Sequence, residues 1–306
     1  VVTWDGSSST DYETAANWDT NSVPTSSDDV IIPDTSSINN CELPSSGANP
    51  QNVNSFKIEA NGTVIGNDIA IRVYGENGSG FAVDNDGIIS GNLNLIIKTS
   101  STTTCDFNGT SGNFKNVEID HASADIHLSG NTTFDGNLTI TAGTFDCSNE
   151  GGDSRNLTVS GDISNSGTLT GNASAISSRK LTSTGTLNGG NFTVTGAGLG
   201  NTIRTIDLGG TVTGNVDITL TGAGNNRHED LQASGNIRNL TINNAAAVIH
   251  TGRNTTIDGD LTITAGTLST DDGGTSVDLT VAGDCIVGDG AGSADTAVLT
   301  GNASAI

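Results

Sequence analysis

The chain has 306 residues and a formal net charge of −23, from 34 acidic and 11 basic side chains. A chain this acidic should be repelled by nucleic acids and anionic membranes, so we expect neither as a partner. Its hydrophobic fraction of 33% suits a thin core better than a large globular one. No apolar run is long enough to cross a bilayer, and no leader stands at the start, so we expect no membrane insertion and a signal peptide already removed.

Residues 1–60 differ in composition from the rest of the chain. They contain both tryptophans, Trp4 and Trp18, and all four prolines. Their clearest predicted strand is DVIIP, which ends at Pro33. We interpret 1–60 as a capping segment for the repeats that follow, in which the tryptophans close the end of the core. Carbohydrate stacking by the tryptophans is the functional alternative.

A long internal repeat begins near residue 61. Residues 114–145 align with 237–268 at an offset of 123 residues, and 18 of these 32 positions are identical. A shorter period lies inside it, marked by Asn or Asp followed by an apolar residue. The markers are Asp68, Asn92, Asn116, Asn137, Asn156, Asn191, Asn215, Asn239, Asp260 and Asp278. The long step from Asn156 to Asn191 holds either one coil with an insertion or a short extra coil around 167–176.

Short strands that recur about every 18–24 residues with glycine-rich bends indicate a β-solenoid. We predict an all-β, right-handed parallel β-helix (β-solenoid) with an N-terminal cap over 1–60. Residues 61–306 then form two units of about 123 residues and about five coils each, which we expect to continue beyond 306. The predicted interior residues are Leu138, Ile140, Leu157, Val159, Phe192, Val194, Val216, Ile218, Leu240, Ile242, Leu261 and Ile263.

The N-terminal segment carries a recognisable pattern: a Trp-Asp-Gly at 4–6, Ala-Asn-Trp at 16–18, Val-Pro at 23–24 and the acidic strand 28–33. It resembles the start of large secreted β-solenoid surface proteins and adhesins of the kind common in Bacteroidota. In those proteins Asn-Leu-Thr-Ile coils follow, as they do here. The resemblance implies export and a cell-surface role, and it identifies no ligand.

No enzyme site is predicted from the sequence. The densest polar cluster is Arg227, His228, Glu229 and Asp230, and its counterpart at 104–107 lacks the same residues, so the cluster is not part of the repeat. Solenoid polysaccharide lyases and hydrolases share this architecture, and they bring carboxylates and basic groups together on one sheet beneath a groove. Such an arrangement would favour the enzyme alternative.

No cofactor is predicted, although calcium is possible. Acidic turns at 258–260, 271–273 and 284–289 offer carboxylate and carbonyl oxygens, the ligands that calcium prefers. Solvated turns are the simpler interpretation, because the chain lacks the glycine-rich nonapeptide of calcium β-rolls.

Eleven Asn-x-Ser/Thr triplets occur in the chain. Four of them, at Asn137, Asn156, Asn191 and Asn239, begin predicted strands, where we expect stacked side chains to bond along the coil axis. The remaining glycosylation candidates are Asn61, Asn77, Asn108, Asn131, Asn172, Asn254 and Asn302.

The four cysteines are far apart in sequence. Cys105 and Cys147 belong to coils two steps apart, which separates them by roughly 9–10 Å along the axis. A disulfide needs closer Cα atoms. We therefore predict four unpaired cysteines, several of them in the core.

These features together predict a structural or adhesive segment of a secreted cell-surface protein, a rigid stalk or adhesin without enzymatic activity. A repeating subunit of an extracellular filament and a carbohydrate-active β-helix enzyme are the alternatives. Surface glycans or other copies of a surface protein are the possible partners.

Overall fold

The computed structural model describes residues 1–45, 49–197, 199, 203–222, 227–229, 231, 234–272, 275–288 and 297–301. For residues 227–229, 246, 271, 272, 275 and 276 it describes the backbone alone. The chain divides into two compact units, Val1–Ser160 and Gly161–Ile306. None of the described residues belongs to a helix with the length and apolar character needed to cross a membrane.

Unit 1 is a parallel β-solenoid with one short 3₁₀ helix, Ala15–Asn17. Its strands are β1 (Val2–Thr3), β2 (Asp29–Ile32), β3 (Cys41–Glu42), β4 (Gln51–Val53), β5 (Ser55–Ile58), β6 (Thr63–Val73), β7 (Phe81–Asn85), β8 (Ile88–Ile97), β9 (Thr102–Asp106), β10 (Val117–Leu128), β11 (Thr132–Phe134), β12 (Leu138–Asp146) and β13 (Leu157–Val159).

Unit 2 repeats the same architecture, apart from one antiparallel hairpin between β24 and β25. Its strands are β14 (Asp162–Asn165), β15 (Thr168–Ser178), β16 (Lys180–Ser183), β17 (Thr186–Val194), β18 (Ile206–Leu208), β19 (Thr211–Leu220), β20 (Arg227–Glu229), β21 (Asn239–Thr251), β22 (Thr255–Ile257), β23 (Leu261–Ser269), β24 (Asp271–Asp272), β25 (Thr275–Ser276), β26 (Leu279–Val281), β27 (Cys285–Val287) and β28 (Val298–Thr300).

A coil of unit 1 has three faces, as the pairing of β6 to β9 shows. Strand β7 lies on a first face between β5 and β9. Strand β8 bends near Gly91, whose φ of +73° lies in the left-handed region that glycine adopts without strain. Its two halves therefore pair with the two halves of β6 on a second and a third face.

The interior is apolar, and the predicted interior residues are all buried, so that prediction is confirmed. Strands such as β12 and β23 begin with alternating buried and outward side chains, as the period of two requires. In unit 1 the four phenylalanines Phe107, Phe114, Phe134 and Phe145 add a ring cluster with centroids 5.1–6.5 Å apart. The all-β parallel solenoid is confirmed.

In each copy of the repeat, a sequence marker is displaced along its strand from the position that the pairing gives. The residue aligned with Asn116 is Asn94, not Asn92, because Val117 pairs with Leu95. The residue aligned with Asn239 is likewise Asp217, not Asn215. Each of these two markers is displaced by two residues, which leaves the same side chains facing inward.

Asn156 and Asp278 were also assigned to the wrong face. Leu157 pairs with Thr132 and Leu279 with Thr255, so their strands lie beside β11 and β22 rather than beside β12 and β23.

The long step between Asn156 and Asn191 contains a short extra coil. Thr168 pairs with Thr186 and Ala175 with Asn191, so β15 occupies one turn of its own below β17. The extra-coil alternative is therefore correct.

The N-terminal tryptophans are packed against one another. Trp4 and Trp18 are buried, with ring centroids 5.1 Å apart and nearly perpendicular, and Tyr12 contacts Trp18 in the same way. The Trp18 indole N–H donates to the Tyr12 carbonyl at 2.9 Å, and the Trp4 indole donates to Asn39 at 2.7 Å. Buried rings with satisfied N–H groups cannot stack on a sugar, which supports their structural role.

All four cysteines are free thiols, as predicted; Cys41, Cys105 and Cys147 are buried and Cys285 is exposed. Burial raises the pKa of the Cys105 thiol to about 12 and raises the pKa of the Cys41 and Cys147 thiols as well. The thiolate is the nucleophile, so burial removes both access and reactivity.

We therefore expect iodoacetamide to label only Cys285 in the native protein at pH 8, and to label four cysteines in denaturant without reductant. Intact-mass spectrometry counts the labels. Two labels or none in denaturant would mean that a disulfide exists.

Candidate functional site

The first face of unit 1 carries a row of charged side chains, which we call the acid row: Lys57, Asp84 and Asp106, with Asp86 beside it. Lys57 pairs in register with Asp84, and Asp84 pairs with Asp106. Their strand neighbours Ile58, Val83 and Cys105 are buried, so the alternation of the strand directs the row outward.

Two contacts define the geometry of the acid row. The Lys57 ammonium donates to Asp84 Oδ2 at 2.8 Å, with both side chains partly buried. Carboxylate oxygens of Asp84, Asp86 and Asp106 all lie within 4.8 Å of one another. Three acids this close repel one another, and a single lysine neutralises only part of their charge.

The protonation of the acid row is uneven. Burial raises the pKa of Asp106, and the nearby carboxylates Asp84 and Asp86 raise it further, whereas the backbone N–H of Asn108 lowers it. The hydrogen bond to Asp84 raises the pKa of Lys57. A carboxyl group with a raised pKa next to other acidic side chains is an arrangement that general acid–base chemistry uses.

A cleft of about 260 Å³ lies over one side of this face. Lys57, Glu59 and Asp84 line it together with Ser55 and the turn at Asn77. The acid row therefore has both charged groups and a recess in which a polar ligand can sit.

A divalent cation is the simplest ligand for the three carboxylates. Asp84, Asp86 and Asp106 form the one group of this kind found among the described residues. They supply three oxygens, fewer than the six to eight that calcium takes. Of the acidic turns considered for calcium, residues 273 and 289 lie outside the described residues.

The polar cluster predicted at 227–230 lies outside the part of the chain whose side chains are described. Asp230 lies outside the described residues, and of Arg227, His228 and Glu229 only the backbone in β20 is described.

Hydrogen bonds join successive coils at the strand starts, through the Asn239 side chain as predicted and at Asn137 through its backbone N–H. In unit 1, Asn116 Nδ2 donates to Asn94 Oδ1 at 2.8 Å, and the Asn137 backbone N–H donates to Asn116 Oδ1 at 2.9 Å. In unit 2, Asn239 Nδ2 donates to Asp217 and Asn239 Oδ1 accepts the N–H of Asp260.

The other two ladder candidates use different partners. Asn191 Nδ2 donates to the carbonyl of Ala173, and the Asn156 backbone N–H donates to Asn131 Oδ1.

The glycosylation candidates differ in exposure. Asn61, Asn131, Asn172 and Asn254 are exposed, Asn77 and Asn108 are half-buried, and Asn302 lies outside the described residues. All seven stay predictions.

Comparisons with family models, with curated proteins and with solved structures found no match to this chain. The fold and its ladders therefore define the class: an all-β parallel β-solenoid of about ten turns. No relative identifies the chain more closely.

Proposed function

We propose that the chain is a structural or adhesive segment of a secreted cell-surface protein, acting as a rigid stalk or adhesin. One observation carries the proposal: the positions shared by both copies of the repeat include those that build the coil. Asn116 and Asn239 occupy the same ladder position, and Ile140 and Ile263 occupy the same interior position. Outward positions such as Glu118 and Thr241 differ between the copies.

The surface chemistry supports an extracellular setting. A net charge of −23 keeps the chain solvated and apart from other anionic surfaces. Hydrogen-bond ladders between stacked coils stiffen a solenoid along its axis, which suits a stalk. The partners we propose are surface glycans or other copies of a surface protein.

The location can be tested in the organism that encodes the chain. An epitope tag inserted after Gly78, in the exposed turn after β6, should be detected by antibody on intact cells. A tagged cytoplasmic protein, visible only after permeabilisation, is the control. Tag signal that appears only in permeabilised cells would contradict the proposal.

A carbohydrate-active enzyme is the second candidate, because the acid row and its cleft place carboxylates and a lysine on one sheet. A lyase or hydrolase would need such groups against its substrate.

We expect no activity from the purified chain on acidic or neutral polysaccharides, measured as new reducing ends or unsaturated products. Turnover that Asp106→Asn abolishes, and that Asp125→Asn on the next coil leaves unchanged, would establish the enzyme instead.

A further inference from the structure

One outward face of unit 2 presents a continuous row of hydroxyl groups. The row is built by strands β15, β17, β19, β21 and β23, which pair in parallel register. Its members, one from each successive coil, are Ser177, Thr193, Thr219, Thr241 and Thr262.

These hydroxyls have no protein partner among the described residues. The flanking residues of each strand point into the core, as Ile218 and Leu220 do beside Thr219. Each member of the row is half-buried by its neighbours.

Coils stack at about 4.8 Å, so the five hydroxyl-bearing residues recur at about this spacing along the row. We call this row the threonine face.

The threonine face has a charged border on one side. Arg238 donates to Asp217 Oδ1 at 2.7 Å through Nε and to Oδ2 through its terminal nitrogen. Asp217 lies two residues before Thr219 on β19, so these charges flank the row and do not belong to it.

Strand propensity alone does not explain the row. The same face of unit 1 carries Arg72, Ile96, Glu118 and Thr139 in register, and only the last is a threonine. The repeat therefore tolerates charged and aliphatic residues at this position, whereas unit 2 has a hydroxyl in five successive coils.

We propose that the threonine face binds the surface of ice, through water molecules that its hydroxyl and methyl groups hold in a regular pattern. A single exposed hydroxyl binds any solute weakly, so the face gains affinity only from a ligand that repeats with the coils. The oxygen lattice of ordinary ice repeats at close to the coil spacing. The row contains neither an aromatic ring for sugar stacking nor a charge for an ionic ligand.

The test uses the whole chain and the variant Thr219→Lys/Thr241→Lys, which places two long charged side chains at the centre of the face. We expect the native protein to enter slowly grown ice and to inhibit ice recrystallisation, and the variant to lose both several-fold. Thr139→Lys, at the equivalent face of unit 1, is the matched control and should behave as the native protein. Circular dichroism verifies that all three are folded.

The proposal fails if the native protein is excluded from growing ice, or if the folded double variant enters ice as the native protein does. Retention on cellulose or chitin that the double variant loses, without any effect on ice, would assign the face to an insoluble glycan and overturn the proposal. Neither result depends on where the protein is located in the cell.

Discussion

Replacing Leu261 with Asp is expected to lower the free energy of unfolding by at least about 3 kcal/mol. Leu261 is fully buried and stacks in parallel register between Leu240 and Cys285. Removing a buried leucine side chain alone costs about 2–5 kcal/mol. The new carboxylate would also lose its hydration with no partner to replace the water. Urea denaturation followed by circular dichroism measures the loss.

The matched control is Thr262→Asp, one residue along the same strand, where the side chain faces outward. It adds the same charge in the same coil, so we expect a change within about 0.5 kcal/mol. If Leu261→Asp yields no folded protein, Leu261→Ala gives the truncation cost alone. Equal denaturation midpoints for Leu261→Asp and the native protein would show that this side chain is not in the core.

The sequence predicted the fold because periodicity survives small errors of alignment. Placing the marker at Asn92 instead of Asn94 shifts a coil by two residues. A shift of two keeps every side chain on its face, whereas a shift of one would have turned the core outward. The interior residues were therefore correct even where the register was not.

The assignment of Asn156 to the wrong face of the coil had a different cause. In sequence, Asn156 precedes an apolar-x-apolar strand as Asn137 does, yet the strand that follows Asn156 pairs with β11. A coil has three faces with the same inward pattern, so a short marker cannot tell which face it belongs to. Only the partner strand decides it.

The acid row could not be predicted from the sequence for a related reason. Lys57, Asp84 and Asp106 are separated by unequal steps, because the turns between their strands differ in length. A search at one fixed period does not align them. Aligning the strand 81–85 with 102–106 by their buried residues would have placed Asp84 beside Asp106.

The acid row also makes the stability of the folded chain depend on pH. The pKa of Asp106 is raised in the folded state, so its ionisation disfavours folding. The stability that the Asp106 carboxyl group contributes is complete below its pKa in the unfolded chain. This stability falls as the pH rises through the pKa of Asp106 in the folded chain. Carboxyl groups with a perturbed pKa cluster at functional sites, which is the reason to test this face for activity.

Replacing Phe134 with Ala is expected to lower the free energy of unfolding by about 3–5 kcal/mol, the usual cost of removing a buried ring. Phe134 is fully buried, and its ring lies 5.1 Å from Phe107 and 6.3 Å from Phe145 in edge-on contacts. Edge-on ring pairs add about 0.5–1.5 kcal/mol each beyond their buried area. Urea denaturation of the purified variant measures the loss.

The two copies of the repeat supply the control for this prediction. Ile257 is the residue of unit 2 that corresponds to Phe134, and it is fully buried without a phenylalanine cluster around it. Phe134→Ile therefore keeps a side chain that the repeat accepts and removes the ring contacts, and we expect it to cost less than Phe134→Ala. Equal losses for the two variants would mean that the ring contacts carry the whole effect. A negligible loss for both would mean that the interior of unit 1 is not packed around this ring.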